Sequence, residues 1–106
     1  MYESDIQTIR FFTDNGTTKQ ITTITIIKDP AGYFFTTENI DLDNRAVEKT
    51  YYNSKPYDNA IDIFEGTVKL FNVDYIEEII NLDGTGLISI EAQREIVGTD
   101  IPISQK

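Results

Sequence analysis

Residues 6–37 read IQTIRFFTDNGTTKQITTITIIKDPAGYFFTT and contain the clearest strand and turn signals of the chain. Two turn signals divide it into three segments that are rich in Ile, Thr and Phe, which are strand-forming residues. Asn15-Gly16 supplies the positive φ angles of a two-residue hairpin turn. Pro30 is preset for the first central position of the second turn, and Gly32 closes that turn. The stretch therefore predicts three consecutive antiparallel strands.

These two turns also predict which side chains share a face of the sheet. The first turn pairs Phe11 with Gln20, and the second pairs Ile26 with Phe35. Facing residues share one side, and neighbours along a strand alternate. The predicted core side carries Ile9, Phe11, Ile24, Ile26, Tyr33 and Phe35. The other side is rich in Thr, and four large apolar residues interrupt it: Phe12, Ile21, Ile27 and Phe34.

Those four residues are the candidate partner surface. A helix with one apolar stripe covers only one side of a sheet, so this side needs another cover. Each large apolar group left in water forfeits about 1.5–3 kcal/mol relative to burial, and such patches usually mark interfaces. Three covers remain open: a C-terminal hairpin of the same chain, a second copy in a symmetric dimer, or a protein partner.

The second half predicts one main helix and more strands. Residues 45–52 are expected to form a fourth strand, followed by a helix over residues 57–71 that packs on one side of the sheet. Its apolar stripe at helical spacing consists of Tyr57, Ala60, Ile61, Phe64, Val68 and Phe71. Ser54 is the expected N-cap, Pro56 lies in the first turn, and Asn72 ends the helix.

The C-terminal quarter has two interpretations. Asp74 and Glu77 have the spacing of a capping box before a short helix, but residues 74–82 are also rich in Ile. The strand interpretation is favoured, with residues 87–93 as the second arm of a hairpin and a loose tail at 98–106. The complete prediction is one α+β domain, residues 1–106, with an antiparallel sheet of about five to six strands.

Composition excludes several kinds of site. The 106 residues include no His, Cys or Trp. Disulfides, thiolate nucleophiles, Cys or His zinc sites and Ser-His-Asp catalysis are therefore excluded. Eighteen acids against nine bases give a net charge of −9, which disfavours direct binding to nucleic acids and to anionic membranes. No apolar run approaches the ~20 residues that span a bilayer, and the acidic N-terminus does not resemble a secretory signal. A cytoplasmic, non-enzymatic protein without a cofactor is expected.

Three acidic motifs are candidate sites. Asp58, Asp62 and Glu65 recur at helical spacing and form a candidate acidic stripe for a basic partner. Asp41 and Asp43 are more simply turn formers than a catalytic carboxylate pair. Residues 81–92 have the oxygen ligands and glycine that begin an EF-hand calcium loop, but the twelfth position lacks the bidentate acid. No metal is therefore expected.

The function expected from these features is protein–protein interaction by a small acidic protein. Ile outnumbers Leu by 17 to 4, a bias typical of AT-rich genes. This composition favours an inhibitor, immunity or regulatory factor from a phage, plasmid or other mobile element of a low-GC bacterium. The alternative is a structural or assembly protein, such as a virion component, that self-associates through its sheet. A carboxylate-based enzyme or a small-ligand binder is the third possibility.

Overall fold

The computed structural model describes residues 5–51, 55–84 and 86–106 and shows a six-stranded sheet with two helices. The strands are β1 (Asp5–Asp14), β2 (Lys19–Asp29), β3 (Gly32–Asp41), β4 (Ala46–Tyr51), β5 (Ile76–Gly84) and β6 (Ile103–Gln105). The helices are α1 (Ala60–Phe71) and α2 (Ile90–Val97). The strand order is β4-β3-β2-β1-β5-β6, and every pair is antiparallel except β5 with β6. The predicted α+β class is confirmed.

The second hairpin has the predicted register. Asp29 pairs with Gly32 across a two-residue loop, and Ile26 pairs with Phe35. The Asp29 carboxylate accepts a hydrogen bond of 2.8 Å from the backbone N–H of Ala31, which supports the turn from within. Local turn chemistry therefore determines this register.

The first hairpin is shifted by two residues from the prediction. Phe11 pairs with Thr22 rather than with Gln20, because the loop contains four residues instead of two. The side-chain Oδ1 of Asn15 accepts hydrogen bonds from the backbone N–H groups of Thr17 and Thr18, at 2.9 and 2.8 Å, and holds the wider loop. A shift of two residues leaves every side chain on the same side of the sheet, so the predicted assignment of residues to the two sides remains correct.

Helix α1 begins three residues later than predicted. Asn59 is the N-cap, and its side-chain Oδ1 accepts a 2.8 Å hydrogen bond from the backbone N–H of Asp62. Pro56 therefore lies before the helix rather than in its first turn, and Ser54 lies outside the described residues. Asn72 ends the helix as predicted, with a positive φ of 64°.

The prediction of a C-terminal hairpin is wrong for its second strand. Residues 76–84 form strand β5, but the partner segment becomes helix α2 instead of a strand. Ser89 caps this helix by accepting a 3.1 Å hydrogen bond from the backbone N–H of Ala92, and Gly98 ends it. The expected loose tail instead contains β6, and Ile101 in the same segment is buried.

Both helices pack on the predicted core side of the sheet. The Phe11 ring lies 5.5 Å from the Phe64 ring and 6.1 Å from the Phe71 ring, measured between centroids, which anchors α1 over β1. The buried apolar side chains of this core are Ile9, Phe11, Ile24, Ile26, Phe35, Ala60, Ile63, Phe64, Val68, Ile76, Ile79, Ile88, Val97 and Ile101.

Candidate functional site

The opposite side of the sheet, hereafter the open face, carries the candidate partner surface. All four predicted residues lie there and are partly buried. Phe12 pairs directly with Ile21 across β1 and β2, and Ile27 pairs directly with Phe34 across β2 and β3. The candidate partner surface therefore consists of two apolar pairs, each formed across neighbouring strands.

These two pairs lie at opposite ends of the open face. Ile21 and Ile27 are six residues apart on one strand, which corresponds to ~20 Å at the strand rise of ~3.3 Å per residue. The rows between them carry mostly hydroxyls, including Thr8, Thr25 and Thr36. The surface thus consists of two apolar ends and a polar middle, not the single patch that the sequence suggested.

The structure adds three apolar residues that sequence reasoning missed. Ile40 pairs with both Ile21 and Val47, which extends one apolar end across β3 and β4. Ile6 pairs with Ile27 and extends the other end. Val47 is 59% exposed and Ile6 is 41% exposed. The alternation of sides that continues from Phe34 to Ile40 was the available signal.

Polar contacts order the middle of the open face. Arg10 donates a 3.2 Å hydrogen bond from Nε to the Thr23 hydroxyl across β1 and β2. Its neighbour across β5 is Ile80, so the guanidinium lies between a hydroxyl row and an aliphatic side chain. This arrangement supplies hydrogen-bonding groups between the two apolar ends.

Within the described residues, no helix or strand lies over the open face. The predicted intramolecular cover was the C-terminal hairpin, but that segment packs on the core side. Gln7, which is on the core side of β1, donates a 3.0 Å hydrogen bond to the backbone carbonyl of Ile88, and Ile88 is buried in the core. The C-terminal segment therefore cannot also cover Phe12 or Phe34.

The acidic stripe is not one helix face. Asp58 precedes the N-cap and lies outside α1, because the helix begins at Ala60. Glu65 forms an ion pair with Lys69, with 3.0 Å between Oε1 and Nζ, one helical turn away. Asp62 is exposed and lies in the first turn, where a negative charge complements the helix dipole. The three residues therefore have separate local roles.

The other acidic motifs have structural partners. Asp41 Oδ1 accepts hydrogen bonds from the backbone N–H groups of Asp43 and Asn44, at 2.9 and 3.2 Å, as in a turn. Asn81 does not lie in a calcium loop. Its side chain is buried on β5 and hydrogen bonded to Gln7 and Gln93. The described residues contain no group of three acidic side chains placed to hold a metal ion.

A groove of about 360 Å³ lies on the other side of the molecule, between α1 and strands β2 to β4. Its lining includes the apolar residues Phe35, Ile63 and Phe71 and the acidic residues Glu48 and Asp62. Sequence reasoning did not find it, because its residues come from distant segments that only the tertiary fold brings together.

Neither helix in the described part of the chain is long and apolar enough to cross a membrane. Comparisons of the chain with family models, with curated proteins and with solved structures found no match.

Proposed function

We propose that this protein is a non-enzymatic binding protein whose open face contacts another protein. One observation carries the proposal: Phe12, Ile21, Ile27 and Phe34 share a sheet side that no described element of the chain covers. These four side chains are partly buried, and Ile6 and Val47 beside them are exposed, so a partner that covered both ends would gain the free energy of burying the apolar surface that remains in water.

The size of the open face supports a specific interface. Strands β1 to β5 contain six to eleven residues each, and at ~4.8 Å spacing and ~3.3 Å rise per residue they give a face of roughly 730 Å². A standard protein interface takes ~800 Å² from each partner. The open face is therefore close in size to a complete interface without help from the helices.

Charge favours a different protein over a second copy as the occupant. Two copies would each carry a net charge of −9 and would repel one another at low ionic strength. A neutral or basic partner would not meet that repulsion, and a basic one would associate faster. The proposed partner is accordingly a basic protein with an apolar surface.

Capture with matched variants tests this proposal. The immobilised protein, Phe34→Lys and Ile61→Lys are each exposed to a lysate of the source organism. Ile61 is 40% exposed on α1, away from the open face, so Ile61→Lys adds the same charge at a control position. The proposal predicts a protein retained by the parent and by Ile61→Lys and lost from Phe34→Lys. Equal retention by all three would contradict it.

Self-association is a second candidate, and strand β4 favours it. In the described residues β4 pairs only with β3, so its other edge presents unpaired backbone groups that can template another strand. An assembly role would use this edge to join copies. The inhibitor, immunity or regulatory role in a mobile element is proposed from the composition of the sequence. The cytoplasmic location is likewise a proposal.

A further inference from the structure

We propose that the groove between α1 and strands β2 to β4 binds a small organic cation, a primary amine that carries an aromatic group. This site lies on the opposite side of the sheet from the open face. The inference does not rest on the proposed protein–protein function.

The groove exists because the helices cover only part of the core side. Helix α1 packs over β1 through Phe11, and α2 packs near β5, where Gln93 contacts Asn81. The β3 and β4 end is left without a helix above it. Ala46 and Glu48, which lie on the core side of β4, are consequently exposed.

The floor of the groove suits the apolar part of such a ligand. Phe35 and Ile63 are almost fully buried beneath it, and the Tyr57 ring meets the Phe35 ring edge-on with centroids 5.9 Å apart. Aromatic rings prefer offset or edge-to-face neighbours, so these two rings favour a third ring beside them. The volume of about 360 Å³ falls in the range of small-molecule sites.

The walls of the groove select a positive charge. Asp62 approaches from α1 and Glu48 from β4, and none of the described lining residues is basic. Asn39 and Thr37 add polar groups on β3, and Thr22 donates a 2.8 Å hydrogen bond to Asn39 Oδ1. The described lining therefore contains two carboxylates and no cation, and the whole chain has a net charge of −9. This charge distribution attracts an ammonium group and repels a carboxylate ligand.

Gly66 keeps the groove open. It lies in the middle of α1, lines the groove, and a Cβ added there would meet no atom within 4 Å. The position therefore has room for a Cβ, and a leucine there is expected to take up part of the groove that Gly66 lines. Since any other residue except proline favours a helix over glycine, Gly66→Leu should fold at least as stably as the parent. This variant is therefore expected to narrow the groove while the protein stays folded.

The test is a titration of the ¹⁵N-labelled protein followed by amide chemical shifts, with three matched probes. Tyramine is the cation, N-acetyltyramine is neutral, and 3-(4-hydroxyphenyl)propionate is the anion of similar shape. We expect saturable shifts around the groove with tyramine only. The expected dissociation constant is on the order of 1 mM, which is ordinary for about ten heavy atoms.

Variants locate the binding. Asp62→Asn and Glu48→Gln should each weaken tyramine binding by about three- to fivefold, as expected for one partly exposed charge pair. Gly66→Leu should abolish it. Glu91→Gln removes a charge from the exposed surface of α2 and should leave the binding unchanged.

Three results would overturn the proposal. Equal shifts with tyramine and N-acetyltyramine would show that the carboxylates do not select charge. Unchanged tyramine binding by Gly66→Leu would place the site elsewhere. If no saturable shifts appeared up to about 10 mM tyramine, which is ten times the expected dissociation constant, the groove would not bind tyramine with the expected affinity.

Discussion

Gln93 and Asn81 form two reciprocal amide hydrogen bonds, 2.8 and 3.0 Å long, between helix α2 and strand β5. Gln7 joins them from β1 by donating a 2.9 Å bond to Asn81 Oδ1 and accepting a bond from the backbone N–H of Ile88. All three side chains are almost completely buried. This amide cluster fixes the C-terminal segment on the core side and so leaves the open face uncovered.

Loss of one member of the amide cluster should destabilise the fold. Gln93→Leu keeps the approximate volume but leaves Asn81 without two of its hydrogen bonds. A buried polar group that loses its partner costs about 1–3 kcal/mol. We expect a corresponding decrease in the free energy of unfolding, measured by urea denaturation. A change below about 0.5 kcal/mol would show that solvent reaches these amides.

Replacement of Gly32 by any residue with a side chain should destabilise the protein. Its φ is +138°, and an added Cβ would lie 2.7 Å from Pro56 Cβ and 2.9 Å from the Tyr57 carbonyl oxygen. This close approach arises because Tyr33 and Tyr57 exchange backbone hydrogen bonds of 2.8 and 3.0 Å. Gly32→Ala should therefore destabilise the protein by more than about 2 kcal/mol in thermal or urea unfolding.

The matched control for that substitution is Gly16→Ala. Gly16 also has a positive φ, of +87°, but an added Cβ would meet no atom within 4 Å. Gly16→Ala should therefore lower the free energy of unfolding only by the strain of a positive φ, about 1 kcal/mol. If the two variants lost equal stability, the contact of Gly32 with Pro56 and Tyr57 would have no energetic role.

Gly66→Ala should stabilise the protein. Alanine favours a helix interior by about 1 kcal/mol over glycine, and the structure offers free space for its Cβ. The expected result is a melting temperature several degrees higher in differential scanning calorimetry. A lower melting temperature would show that the groove side of α1 packs against something that a methyl group displaces.

Two neighbouring phenylalanines test the assignment of the sheet faces. Phe35 is buried on the core side, where its ring packs against Tyr57, whereas Phe34 lies on the open face. Phe35→Lys buries a charge in the core and should unfold the protein, while Phe34→Lys should retain the fold with a loss of about 1–2 kcal/mol. Circular dichroism and thermal unfolding distinguish the two. Equal loss of structure in both would contradict the assignment.

The sequence predicted what local chemistry determines. The Pro30 turn set the register of Ile26 with Phe35, and periodicity placed the core side correctly even where the first hairpin was shifted. Helix α2 was missed because Ile88, Ile90 and Ala92 also alternate as a strand does. Its actual determinants were the Ser89 cap and the buried hydrogen bonds of Gln93, which depend on tertiary contacts.

The candidate sites also differ in whether local sequence patterns or only the tertiary fold could reveal them. Phe12, Ile21, Ile27 and Phe34 were predicted to share a side because alternation is a local property, and the structure places them there. Their separation into two ends required the pairing of whole strands. The groove is lined by residues of α1 and of β2 to β4, and no local pattern of the sequence shows that the fold brings these segments to one place.

Light scattering gives the decisive measurement: the molar masses of the parent protein and of Phe34→Lys, each at low and high salt. These masses test whether the folded single chain leaves its open face free for another protein. The account predicts a monomer of 12.1 kDa for both proteins at both salt concentrations. A parent of twice that mass that Phe34→Lys converts to a folded monomer would contradict it and would assign the open face to a second copy of the chain.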